Sequence, residues 1–220
     1  MNVLIITLTD DPFDPPGENR YGGAQRFMFD LGRHLVRGGH FVLFVTRQSR
    51  PGKPLRQTFG SRCEIRRFPI GPSHELSHHD LWSHADEIQT RVCEIVQSAK
   101  PFDSVLSFSW LSGLAAIASG LRPHVHHILS LGRVRRTLKE SPHASDEARD
   151  RGEVHVFTKA DRLICVCRDE FQSLVTLYPE IDAAKSRIVP YATDGDVFYR
   201  RPCDADDYVR RQAEGLTQRD

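Results

Sequence analysis

The sequence lacks the features that mark membrane, nucleic-acid-binding and disulfide-stabilised proteins. No stretch approaches the roughly 20 consecutive apolar residues that a membrane-spanning helix needs. The 30 basic and 29 acidic residues nearly cancel, so no net charge favours a nucleic acid. The five cysteines are odd in number and include no CxxC pair, which fits reduced thiols better than a disulfide framework. We therefore expect a cytoplasmic protein with no nucleic-acid partner and no transmembrane segment.

Three signatures of enzyme sites are also missing. The chain has no Gly-x-Gly-x-x-Gly fingerprint, which disfavours a nicotinamide enzyme, and no Gly-x-Ser-x-Gly elbow, which leaves a serine hydrolase without support. Histidines are dense at His74, His78, His79 and His84. No cysteine or carboxylate completes a zinc-ligand set at tight spacing, so we predict no metal site.

What the sequence does contain is a regular alternation of strand-like and helix-like segments. The predicted strands lie at 3–7, 41–45, 65–70, 104–108, 125–129, 162–167 and 187–190. The first predicted helix opens at 21–23 and ends at 38–39, and the others lie at 80–99, 111–119, 145–159 and 170–177. Strands that alternate with helices predict an α/β fold with a doubly wound, Rossmann-like parallel sheet.

Side-chain alternation along the predicted strands gives two further expectations. His124 and His126 should share one face of their strand, while His127 should lie on the other. Cys165 and Cys167 should share a buried face and act as small hydrophobic residues.

A glycine pair, Gly22 and Gly23, follows the first strand and opens the first helix. In open α/β sheets, ligands bind beyond the carboxyl ends of the strands. Glycine lets the backbone approach a ligand closely, and the start of a helix offers unpaired N–H groups to an anion. The alternative interpretation is a turn that contacts no ligand.

Several blocks of sequence, taken in order, resemble one enzyme family. The segment Tyr21–Arg26, followed by 31–40, resembles the opening of retaining family 4 glycosyltransferases of the GT-B fold. Trp110–Gly113 is similar to a segment of the inositol-phosphate glycosyltransferase of mycothiol synthesis, and Ser130–Arg133 to one of sucrose-phosphate synthases. Later blocks continue in the family's order at 152–153, 160–164 and 187–190.

The resemblance implies one half of a GT-B fold. Residues 1–202 would form the N-terminal, acceptor-side domain, and 203–220 a linker or the start of a donor domain. The complete enzyme would transfer a sugar, with retention, from a nucleotide-sugar co-substrate to a small hydroxylated acceptor, without a metal or another cofactor. The C-terminal donor-binding domain would be a missing or separately encoded partner.

The resemblance also assigns positions in the site. It implies donor-phosphate or acceptor contacts for Gly22, Gly23, Arg26, Arg133 and Arg135, and cleft-lining positions for Phe108, Trp110, Leu129 and Glu153. No catalytic residue is assigned, because Phe108 and Leu129 stand where relatives carry histidines. Two alternatives stay open: a solvated basic helix face at Arg133 and Arg135, and a non-catalytic binding or regulatory module with a degenerate acceptor-domain fold.

Overall fold

The computed structural model describes residues 1–9, 11–14, 22–72, 74, 76, 78–137 and 144–192. The strands in these ranges are β1 (Asn2–Thr7), β2 (Phe41–Arg47), β3 (Arg56–Phe59), β4 (Cys63–Phe68), β5 (Ser104–Phe108), β6 (His124–His127), β7 (Arg162–Cys165) and β8 (Ser186–Ile188). The helices are α1 (Gly23–Arg37), α2 (His78–Trp82), α3 (Ala85–Gln97), α4 (Trp110–Ala118), α5 (Gly132–Thr137), α6 (Ala144–Lys159) and α7 (Arg168–Leu177), with a 3-10 turn at Ala183–Lys185. The expected domain boundary at residue 202 lies outside the described residues.

The strands form one sheet in the order β3-β4-β2-β1-β5-β6-β7-β8. All neighbours run parallel except β3, which pairs antiparallel with β4. The predicted doubly wound α/β sheet is therefore confirmed.

Alternate residues of the central strand feed two cores on opposite faces of the sheet. Leu4 and Ile6 belong to the core that α3 and α4 cover, whereas Val3 and Ile5 belong to the core beneath α1. Each fully buried aliphatic side chain of this kind contributes roughly 1.5–3 kcal/mol. A third core lies under α6 and α7 at the β6–β7 end of the sheet.

Several elements differ from the sequence expectations: α5 was not predicted, and the α2–α3 region and β3 show two reasons for such differences. The helix predicted over 80–99 is broken into α2 and α3, and the Ser83 hydroxyl donates to the Asp80 carbonyl at 2.7 Å at the break. The edge strand β3 was not predicted, because its polar sequence Arg-Gln-Thr-Phe lacks the apolar run of a buried strand.

The strand predicted over 162–167 ends at Cys165, and the expectation for Cys167 is wrong. Cys165 is buried as predicted, but Cys167 is exposed and serves as the N-cap of α7. Its sulfur accepts the Glu170 N–H at 3.4 Å. The chain thus leaves the sheet two residues earlier than the apolar pattern indicated.

Candidate functional site at the carboxyl edge of the sheet

The strand order creates a crevice between β1 and β5. The chain winds from β1 outward through β2 to β4, then returns to add β5 to β8 on the other side of β1. The helices that follow β1 and β5 pack in cores on opposite faces of the sheet. The loops that lead from β1 and β5 into these helices therefore run to opposite faces of the sheet. In doubly wound sheets, ligands bind in the crevice between two such loops.

Gly22 and Gly23 form the start of α1 at this crevice. Gly22 is the N-cap, with an extended backbone (φ −124°, ψ 179°), and its N–H donates to Oε1 of Gln25 at 2.6 Å. A Cβ added to Gly23 would meet no atom within 4 Å. Gly32, further along the same helix, has no such room, because a Cβ there would lie less than 3.0 Å from the Phe44 ring. Packing explains Gly32, whereas Gly23 has open space at the position of an added side chain, in the first turn of a helix whose N–H groups can bind an anion.

Arg26 lies one turn into the same helix. Its Nε is 2.7 Å from Oδ2 of Asp30, and the Arg26 side chain is 45% exposed. The guanidinium is therefore accessible from solvent while it also pairs along its own helix. A ligand contact for Arg26 stays a prediction.

A buried ion cluster holds the loop that leaves β1, and sequence reasoning missed it. The Asp11 carboxylate accepts from Nε of Arg67 at 2.6 Å and from Nζ of Lys53 at 2.9 Å, and Lys53 also pairs with Asp14. Burial raises the pKa of Asp11, but the hydrogen bonds from Arg67 and Lys53 outweigh it and hold that pKa below its usual value. The partners lie 42 and 56 residues from Asp11, so no local pattern could reveal them.

Ser109, which follows β5 at the other side of the crevice, has a strained backbone. Its φ of 69° and ψ of 156° fall in a region that almost only glycine adopts, at a cost of about 1–3 kcal/mol. The helix that follows is fixed, because Trp110 contacts Trp82 with ring centroids 5.1 Å apart and the Ser112 hydroxyl accepts the Leu8 N–H at 3.2 Å. Strain held at a crevice is typical of functional sites, and no sequence signal marked it.

A small cavity lies beside the end of β6. Its volume of about 30 Å³ suits roughly one or two water molecules. The cavity is lined by Ser109, Trp110, His126, Leu129, Ser130, Arg149, Glu153 and Phe157. Three of the four predicted cleft residues, Trp110, Leu129 and Glu153, therefore meet here. Phe108 lies apart from them, buried in the core beneath α1.

Glu153 is the buried hub of the cavity's hydrogen bonds. It accepts from the Gly132 N–H at 2.8 Å, from Nε of Arg149 at 2.6 Å and from the Tyr178 hydroxyl. Arg149 in turn donates to the Ser130 carbonyl at 3.0 Å. Because these partners fill the acceptor positions of the carboxylate, Glu153 fixes the loop between β6 and α5.

Arg133 has several intramolecular partners, and a ligand contact for it stays a prediction. Its Nε lies 2.6 Å from Oδ1 of Asp150, its Nη2 lies 2.7 Å from Oε1 of Glu180, and its Nη1 donates to the Leu177 carbonyl. The guanidinium also lies over the Tyr178 ring, with its Cζ 4.3 Å from the ring centroid. These contacts join α5 to α6 and α7. The side chain of Arg135 lies outside the described part of the structure.

The three histidines of β6 divide between the two faces of the sheet, as predicted. The Ser107 hydroxyl lies 2.7 Å from Nε2 of His124 and 2.7 Å from Nδ1 of His126. Burial lowers the pKa of His124 to about 4 and the pKa of His126 well below its usual value. His127 lies on the opposite face, among aromatic rings.

Within the described ranges, no group of three or more His, Cys, Asp or Glu side chains is arranged to hold a metal ion. The side chains of His78 and His79 are not among those described. The same ranges contain no helix with the length and apolar character that crossing a membrane requires.

Comparison with known proteins identifies the family of this chain. Residues 22–192 match the glycosyl transferase 4-like domain. The chain belongs to this family. Among curated proteins it is 28% identical over 202 residues to the D-inositol 3-phosphate glycosyltransferase of Nocardiopsis dassonvillei, covering 89% of this chain and 47% of that protein. It is 29% identical over 220 residues to the protein of the same name from Mycolicibacterium paratuberculosis, covering 97% and 49%. The chain thus spans about half the length of these relatives.

Solved structures agree on the fold. Sucrose-phosphate synthase from Thermosynechococcus elongatus superimposes with a TM-score of 0.80 at 21% identity, over 98% of this chain and 53% of that one. The catalytic domain of starch synthase IV from Arabidopsis thaliana gives a TM-score of 0.55 at 12% identity, over 100% and 60%. At these identities the likeness supports the fold alone: a Rossmann-like sheet domain of the GT-B type.

Proposed function

We propose that this chain is the acceptor-binding half of a glycosyltransferase that moves a sugar from a nucleotide-sugar donor to a small hydroxylated acceptor. Two observations together carry the proposal: residues 22–192 match a glycosyltransferase domain, and Gly23, at the switch point of the sheet, has open space around an added Cβ. Sugar transfer would be completed by a C-terminal donor-binding domain, since the matched relatives are about twice as long.

The geometry suits an acceptor that carries an anionic group. A side chain at Gly23 would meet no atom within 4 Å of its Cβ, and the unpaired N–H groups and aligned peptide dipoles of the 15-residue α1 favour negative charge at this helix start. The curated relatives are named for D-inositol 3-phosphate. A phosphorylated cyclitol or sugar is therefore the acceptor class that we propose, with its phosphate against Gly22 and Gly23.

The remaining parts of the proposal follow from the family resemblance. The transfer would retain anomeric configuration, with the acceptor hydroxyl attacking on the face from which the nucleoside diphosphate leaves. It would need no metal or other cofactor. The four cysteines in the described ranges are free thiols, which supports our placing the protein in the cytoplasm.

The test uses the gene product that carries this chain together with a panel of nucleotide sugars. We expect mass spectrometry to detect one added glycosyl unit on D-inositol 3-phosphate or another phosphorylated polyol, and calorimetry to detect binding of the same acceptor to this chain. Transfer only to unphosphorylated acceptors would contradict the acceptor class. Failure of every donor and acceptor in both assays would contradict the proposed function.

A second candidate, a non-catalytic binding module, is favoured by one specific observation. Phe108 is 1% exposed and Leu129 is half-buried, so apolar groups occupy both positions at which the resembling family carries histidine. A module of this kind would bind the phosphorylated acceptor but transfer no sugar to it. Binding without turnover in the two assays above would therefore select this candidate.

A further inference from the structure

The buried side chain of His127 has no hydrogen-bond partner among the residues that the structure describes. It ends β6 at the carboxyl edge of the sheet and is 2% exposed. Neither of its ring nitrogens makes a hydrogen bond of normal geometry, although the backbone of His127 and Ile128 lies near the ring and favours its protonated form. The other two histidines of the strand both contact Ser107. A native structure seldom leaves a buried polar group unpartnered without a reason.

Aromatic rings surround this imidazole and connect it to the glycine helix. Phe108, its register partner on β5, stacks on it with centroids 5.1 Å apart and planes inclined by 26°. Phe27 of α1 lies 5.1 Å away. Since Phe27 is four residues after Gly23, the imidazole lies under the first turns of the helix that begins the proposed phosphate site.

Tyr191 is the ring between His127 and solvent. Its plane is inclined by only 6° to that of the imidazole, with centroids 5.8 Å apart, and it also contacts Phe27 at 4.6 Å. Tyr191 is 46% exposed, whereas the imidazole beneath it is closed off. The chain is fixed two residues earlier, where the Val189 N–H donates to the Cys165 carbonyl at 2.8 Å.

We propose that His127 contacts the acceptor and that Tyr191 covers it in the free protein. A hydroxylated six-membered ring, such as a cyclitol or a pyranose, takes the place of the Tyr191 side chain. One apolar C–H face of this ring packs on Phe27, and one of its hydroxyl groups bonds to the imidazole. This inference rests on the proposed function and adds to it a specific acceptor-contacting residue and the ring that covers it in the free protein.

The ionisation of His127 agrees with a hydroxyl partner. Burial lowers the pKa of His127 to about 4, so the ring is neutral near pH 7. A neutral imidazole has one donor and one acceptor nitrogen, which matches a hydroxyl group, itself both donor and acceptor. The phosphate of the same ligand would be left to the N–H groups at Gly22 and Gly23.

The test follows the imidazole Cε1–H signal of His127 by NMR while D-inositol 3-phosphate, myo-inositol and glucose 6-phosphate are each titrated into the chain. We expect this signal to move on binding. Tyr191→Ala should tighten binding about 2- to 10-fold, because the ligand no longer displaces a stacked ring. His127→Phe keeps the ring shape and should weaken binding about 5- to 100-fold.

His124→Phe is the matched control, since it removes a buried imidazole from the other face of the same strand. We expect it to leave affinity within about twofold. If the probes bind and move the Gly22 and Gly23 amides but not the His127 signal, or if Tyr191→Ala weakens binding, this inference fails while the proposed function stands. If no probe binds, both fail. The wild-type signal and Tyr191→Ala decide the question even if His127→Phe does not fold.

Discussion

Replacing Gly23 with valine tests whether this glycine is needed by the fold or by a bound ligand. A Cβ at this position meets no atom within 4 Å, and no positive φ requires glycine there. We therefore expect Gly23→Val to change the free energy of unfolding by less than about 0.5 kcal/mol, as ordinary surface substitutions do. We expect the valine methyl groups instead to obstruct a ligand that approaches the first N–H groups of α1.

The expected loss appears in binding. A phosphate at this helix start would form charge-assisted hydrogen bonds, each worth about 1.5–3 kcal/mol, so losing even one weakens binding of D-inositol 3-phosphate by at least about tenfold. Calorimetry measures this affinity, and urea unfolding measures stability. A Gly23→Val protein that is folded and binds like the wild type would refute the reasoning.

Two other glycines of the same helix region serve as matched controls. Gly38→Val lies at the opposite end of α1, where an added Cβ has only ordinary contacts of 3.4 Å or more, so binding should be unchanged. Gly32→Ala forces a Cβ into the Phe44 ring and should cost about 1–3 kcal/mol of stability. The pair distinguishes an effect on the ligand from an effect on the fold.

Three further predictions concern the groups around the site. Ser109→Gly should raise stability by about 1 kcal/mol, measured by urea unfolding, because glycine adopts a φ of 69° without strain; unchanged or lower stability would contradict a strained Ser109. Asp11→Asn should cost about 3 kcal/mol near neutral pH, because the buried Arg67 loses its carboxylate partner and Lys53 keeps only that of Asp14. Because the folded-state pKa of Asp11 is lowered, the stability that its carboxylate contributes is present above about pH 4 and is lost at lower pH. The Asp11→Asn variant should therefore lose less stability than the wild type on acidification. Parallel stability profiles of the two proteins in acid would refute this. The pKa values of His124 and His127 are lowered to about 4 in the folded protein, so the unfolded chain takes up protons first on acidification. The free energy of unfolding should therefore fall by up to about 1.4 kcal/mol per histidine and pH unit as pH drops from about 6.5 to about 4. A flat stability profile over that pH window would contradict the buried neutral rings.

The sequence was sufficient for the parts of the fold that depend on local periodicity. The apolar runs around Leu4, Leu43 and Val105 predicted the central strands, and alternation predicted the two faces of β6. It failed where polarity hides an edge strand, as at Arg56–Phe59, and where the Ser83 hydroxyl accompanies a helix break.

The site was less predictable because its contacts join distant residues. The position of Gly23 followed from strand–helix order, but Arg133 is engaged by Asp150 and Glu180, which its sequence neighbourhood does not reveal. The surroundings of the His127 imidazole depend on three rings from distant parts of the sequence: Phe27, Phe108 and Tyr191. Such features arise from tertiary packing and leave no local pattern.

The most direct test of acceptor binding at the carboxyl edge is amide NMR mapping of the labelled chain with D-inositol 3-phosphate. We expect the shifted amides to cluster at Gly22, Gly23 and Ser109, on the two sides of the crevice between β1 and β5. The absence of any shift at high ligand concentration, or shifts confined to the opposite edge of the sheet, would contradict the proposed site.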